Sequence, residues 1–147
     1  MIDAEAEKEF LRGLKLFREG NSLAALTFFE RASVLRGKPS YFSCLGFCIA
    51  KERGQVRKGL HLCREALEQE PDNTVHYLNL GRIHLVAGNK QEAIRVFREG
   101  LAHGANQEIA DLLNEIGTRK QPVIPSLGRN HPVNKYLGII LSRLGLR

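Results

Sequence analysis

Tryptophan is absent from this chain, and methionine appears once, proline five times and cysteine three times. No apolar run approaches the roughly 18 residues that a membrane-crossing helix needs, and no alternating apolar and polar run suggests a strand. The first ten residues, MIDAEAEKEF, are acidic and lack the basic start and apolar stretch of a secretory signal. Export by that route is not expected, and a cytoplasmic location is. An odd number of cysteines fits reduced thiols there. A metal site from Cys44, Cys48, Cys63 and His61 lacks the second C-x-x-C or histidine pair that would complete a tetrahedral set. The thiols are therefore expected to be small core side chains.

Catalytic patterns are missing as well. There is no phosphate-cradling G-x-x-x-x-G-K-[ST] loop and no G-x-G-x-x-G after a strand. The histidines at 61, 76, 84, 103 and 131 follow no consistent spacing. With no nucleophile beside a base and no carboxylate pair, the chain reads as a non-enzyme, with no catalytic residue, metal or cofactor expected. Acid is scarce in one region above all. Residues 118–147 hold six Lys and Arg and no Asp or Glu, so the whole net charge of +6 lies in this tail.

What is present is helical periodicity, clearest from His76 to Leu101. Tyr77, Leu80, Ile83 and His84 mark one helical stripe, with Gly81 on it, where a missing Cβ lets another helix come close. Gly88-Asn89 then ends one helix and starts the next: glycine suits the left-handed position, and Asn89 with Glu92 predicts an N-terminal cap. Ala93, Ile94, Phe97 and Leu101 continue at helical spacing. The pattern recurs upstream. Gly20, Gly54 and Gly88 are 34 residues apart, as are Ala25, Gly59 and Ala93, then Leu26, Leu60 and Ile94, then Phe29, Cys63 and Phe97, then Ala32, Ala66 and Gly100. Gly13, Gly46 and Gly81 are spaced 33 and 35, so the middle copy carries one extra residue before its turn.

Tyr-x2-Leu-Gly-x2-His followed by Ala-x3-Phe, repeated at this interval, resembles the tetratricopeptide repeat. The resemblance implies an all-α fold, an α-solenoid of helix–turn–helix repeats wound as a right-handed superhelix. Its expected parts are repeats at about 6–39, 40–73 and 74–105, with a capping helix over 106–117. Pro122, Pro125 and Pro132 predict a linker over 118–132. Val133, Leu137, Ile140, Leu141 and Leu144 then predict a short amphipathic helix over 133–147. In the first helix, Phe10, Leu11, Leu14 and Phe17 form the apolar stripe. The acids at 3, 5, 7 and 9 read mostly as solvated helix-start chemistry.

In such arrays the first helix of each repeat lines a concave groove that holds a peptide or partner helix. The resemblance places Phe10, Leu14, Phe17 and Arg18 in that groove from the first repeat. It adds Ser43, Phe47 and Lys51 from the second, then Leu78, Asn79, Arg82 and Val86 from the third. The family's carboxylate clamp, which grips heat-shock chaperone C-termini, would fall on Phe10, Leu14, Cys44, Val75 and Asn79. These are mostly not the Lys, Asn and Arg the clamp requires, so that role is not expected. The expectation is a non-catalytic adaptor for a protein or peptide partner. Alternatives are a secretion-type chaperone for a secreted client, and a basic tail binding nucleic acid or an anionic membrane. The scattered tail cations disfavour that last reading, and the apolar face over 133–147 is expected to dock on protein, in cis or across a homodimer.

Overall fold

The computed structural model describes residues 1–118 and, beyond them, Arg143. The expected linker over 118–132 and helix over 133–147 lie outside the described residues, apart from Thr118 and Arg143. Among the described residues every regular element is a helix: α1 (Ile2–Arg18), α2 (Ser22–Leu35), α3 (Pro39–Arg53), α4 (Val56–Gln69), α5 (Thr74–Val86), α6 (Lys90–His103) and α7 (Gln107–Thr118). The chain divides into two compact units, Met1–Leu113 and Asn114–Arg147. The described part of the second is the end of α7, where Ile116 is buried, together with Arg143.

The first unit is an α-solenoid of helical hairpins. Short turns pair α1 with α2, α3 with α4 and α5 with α6, while α3 also lies against α2 and α5. The turns carry Gly20, Gly54 and Gly88 at φ of 83°, 68° and 80°, a left-handed conformation that glycine adopts without steric cost. After the first and third, an asparagine N–H reaches back five residues, from Asn21 to Leu16 O at 2.9 Å and from Asn89 to His84 O at 2.8 Å. After the second, Gln55 N–H reaches back six, to Ile49 O at 3.4 Å. That wider closure, with Gly54 itself capping α3, takes up the extra residue of the middle repeat.

Inside each hairpin a glycine of the first helix faces the second. A Cβ on Gly13 would lie 2.7 Å from Phe29 Cε1, and one on Gly81 would lie 2.6 Å from Phe97 Cζ and nearer still to two other ring atoms. In the middle hairpin Cys63 replaces the phenylalanine. The backbones close in, and a Cβ on Gly46 would lie 2.7 Å from the carbonyl oxygen of Gly59. Phe29, Cys63 and Phe97 are fully buried, as are Ala25, Ala32, Ala66 and Ala93. All three cysteines are buried and unbridged. Ile109 of α7 is buried too, and would meet a Cβ on Gly100 at 3.1 Å.

Three expectations need correction. Asn89 stands at the N-cap of α6, but its side chain makes no capping bond, and Glu92 is drawn to Arg95. The caps that do bond are Asn21 to Ala24 N–H, Asn73 to Val75 N–H and Asn106 to Ile109 N–H, each at 3.1 Å. Leu11 and Leu101, placed on apolar stripes, are 55% and 36% exposed. The acids of α1 are mostly engaged rather than merely solvated. Glu7 accepts the Tyr41 hydroxyl at 2.7 Å and pairs with Lys38, Glu9 pairs with Arg12 and Arg31, and Asp3 pairs with Arg36. The Tyr41 hydrogen bond is the main cause of a lowered Glu7 pKa, while burial raises that of Tyr41.

Candidate functional site

The first helices of the three hairpins, with the start of α7, surround a groove of about 600 Å³ within the first unit. From α1 it is lined by Phe10, Leu14, Phe17 and Arg18, and from α5 by Val75, Leu78, Asn79 and Arg82. Ser40 and Cys44 contribute from α3, and Asn73, Asn106 and Glu108 form a polar rim. Helical spacing explains the convergence. Residues 75, 78, 79 and 82 share one face of α5, and 10, 14, 17 and 18 share one of α1.

Seven of the eleven residues singled out in the sequence line this groove. The other four do not. Ser43 is fully buried, and its Oγ accepts a 2.7 Å bond from Asn79 Nδ2. Phe47 packs edge-on against Phe17, ring centroids 5.6 Å apart. Lys51 and Val86 are exposed, a turn further toward the ends of α3 and α5. Sequence reading did not single out Ser40, Asn73, Asn106 and Glu108. The asparagines carry a signal only as helix-start residues, and Glu108 carries none.

Arg82 is the groove's central charge. Its guanidinium lies over two rings, 5.6 Å from the Phe17 centroid and 5.7 Å from that of Phe47. Nη2 donates to Glu108 Oε2 at 2.8 Å. Arg82 is mostly buried, with 22% of its side chain exposed, whereas Glu108 is 66% exposed. Beside it the Cys44 thiol is pushed up to about 11, chiefly by burial, against the opposing hydrogen bond from Asn79.

Among the described histidines, two reach toward the α4–α5 turn rather than the groove. His76 is fully buried with Nε2 2.7 Å from Glu70 Oε1, and His103 Nδ1 lies 2.9 Å from Asp72 Oδ1. The His103 ring stacks on Tyr77, whose hydroxyl donates to the Pro71 carbonyl at 3.0 Å. His84 is buried, and burial lowers its pKa. His61 is exposed beside Glu65. Among the described residues no three His, Cys, Asp or Glu side chains gather to hold a metal ion, and no helix is long and apolar enough to cross a membrane.

The tetratricopeptide repeat family model matches residues 50–116, which include the glycine-centred crossings of the third hairpin and half of the second. Over this stretch the chain is similar to the tetratricopeptide repeat family. Solved structures of the family share the fold along most of the chain. The Arabidopsis OM64 TPR domain superposes with a TM-score of 0.63 at 17% identity, over 82% of this chain and 100% of that one. The second TPR domain of human RPAP3, solved with an HSP70 peptide, gives 0.61 at 17% identity, over 81% of this chain and 100% of that one. The TPR2B domain of yeast Sti1, in complex with an Hsp70 partner, gives 0.62 at 14% identity, over 80% and 99%. At these identities the likeness is one of fold. No curated protein matches the sequence. The positions that the family's clamp would occupy, from Phe10 to Asn79, all line the groove, but here they present two apolar side chains from α1, a thiol, a valine and one asparagine.

Proposed function

We propose that this protein is a protein-interaction module that holds a segment of a partner in the α1–α3–α5 groove, without catalysing a reaction. The observation that carries this reading is the convergence of Phe10, Leu14, Phe17, Val75 and Leu78 on one recess of about 600 Å³ with a polar rim. Apolar anchors on a partner would fill it, and rim asparagines would meet its backbone. Similar folds hold peptides, as the HSP70 peptide on human RPAP3 illustrates. With a phenylalanine, leucine, cysteine and valine at four of the five clamp positions, this groove suits side-chain anchors better than a free chaperone C-terminus.

A displayed peptide library tests the reading. The wild-type protein is expected to enrich peptides with two or more aliphatic or aromatic residues. A Leu14→Arg/Leu78→Arg variant with unchanged helical circular dichroism is expected to enrich none of them. Equal enrichment on that variant would show that the groove is not where peptides bind.

A further inference from the structure

Resting on that reading, we propose that Arg82 is the groove's specificity determinant for an internal carboxylate side chain of the bound segment, and that Glu108 is a built-in competitor occupying it until the segment arrives. Arg82 enters the apolar floor already oriented. Two rings flank its guanidinium, so little freedom remains to be lost when a ligand binds. Its planar fork offers five N–H donors and matches a carboxylate side by side. Glu108 meets it through Nη2 and Oε2. The two ends of this pair differ. Arg82 belongs to the floor, while Glu108 stands mostly in water at the start of α7. Exchanging a solvated carboxylate for one that arrives with a peptide costs little, because exposed pairs contribute roughly fivefold at most to an equilibrium. A ligand lying over the groove excludes water from the same guanidinium and strengthens the new pair.

Among the described residues the lining carries two cations, Arg18 and Arg82, against one carboxylate, Glu108. The groove is therefore complementary to a segment that combines apolar anchors with acid. Leu78 and Arg82 are one turn apart on α5, so anchor and carboxylate should lie about one helical turn apart on the ligand. The recognised carboxylate belongs to a side chain, since the clamp positions that would grip a chain terminus are mostly apolar.

The test uses fluorescein-labelled, C-terminally amidated ten-residue peptides of alanine and glutamine carrying two leucines, with one glutamate walked through the remaining positions. Fluorescence anisotropy reads binding to the full chain. The best glutamate peptide is expected to bind about tenfold more tightly than its glutamine twin, the usual scale for a hydrogen bond to a charged group. Arg82→Gln should erase that difference, and Glu108→Gln should tighten the glutamate peptide by roughly two- to fivefold while leaving its twin unchanged. Glutamate and glutamine peptides of equal affinity, a preference that survives Arg82→Gln, or no binding by any peptide would overturn the inference. The displayed library then separates the two failures. Peptides enriched there and lost on Leu14→Arg/Leu78→Arg leave the groove reading standing, whereas no such peptides bring both down.

Discussion

Adding a single methyl group at Gly81 would test whether the 34-residue pattern records close packing or mere descent. A Cβ there would sit 2.6 Å from Phe97 Cζ and nearer to Cε1 and Cδ1 of the same ring. Phe97 has no exposed surface into which to retreat. Two effects oppose each other in Gly81→Ala. Alanine is the better helix former by about 0.8–1 kcal/mol, while overpacking a filled interior costs about 1–3 kcal/mol. A rigid buried ring places the cost near its upper end, so the net effect should be a loss of roughly 1–2 kcal/mol. Urea unfolding followed by circular dichroism reads it as a lower midpoint. Shortening the neighbour should partly relieve the strain, so Gly81→Ala combined with Phe97→Leu is expected to be less destabilising than the sum of the two, by at least about 0.5 kcal/mol. Equal or greater stability for Gly81→Ala, or strict additivity, would mean that the glycine is not there for the ring.

Phe97→Ala should cost roughly 3–5 kcal/mol, since it empties a fully buried site; a loss below about 1 kcal/mol in urea unfolding would contradict that burial. His84 is held below its ordinary value of 6.5, chiefly by burial. The unfolded chain therefore binds the extra proton first, so the stability from neutral His84 is complete above 6.5 and drains away as the pH falls. In His84→Phe, urea midpoints measured on both sides of pH 6.5 should fall less steeply toward acid than in the wild type, and parallel curves would refute the assignment. Burial pushes Cys44 up to about 11 and Cys48 up to about 12, and raises Cys63 as well. Because the thiolate is the nucleophile, an aromatic disulfide reagent should label the native protein slowly at neutral pH and label all three thiols once urea unfolds it. Fast labelling of the native protein would show that the thiols are accessible.

The repeat columns were legible because close helix crossing narrows the choice of side chain. Gly13, Gly46 and Gly81 each meet a second helix within van der Waals distance, and such a demand recurs at every copy. The turn glycines were legible for a similar reason, as a left-handed backbone favours one residue type. Depth was harder to read. Ser43 and Phe47 share a helix face with groove residues, but Ser43 is sealed beneath Asn79 and Phe47 beneath Arg82. Helical period gives a direction around the axis and says nothing of what lies above a side chain. Pairings between helices left even less trace. Glu7 with Tyr41 and Arg82 with Glu108 depend on side-chain reach across separate helices, and neither residue of such a pair looks unusual in its own segment.

The narrow crossing of α3 and α4 bears on how the molecule comes apart. From Ser43 to Ala50 every residue of α3 is buried, so this helix lacks the solvated side that a surface helix keeps. In a repeat array, stability is set by contacts between adjacent units, and the terminal units have a neighbour on one side only. Opening should then travel inward from α1, leaving α3 and its partner as the last structured remnant of the first unit. Backbone amides between Ser43 and Ala50 should exchange with deuterated water only through that final, global event, while those of α1 exchange through smaller openings. Partner release and chain unfolding would thus share an early step, because α1 supplies one wall of the groove.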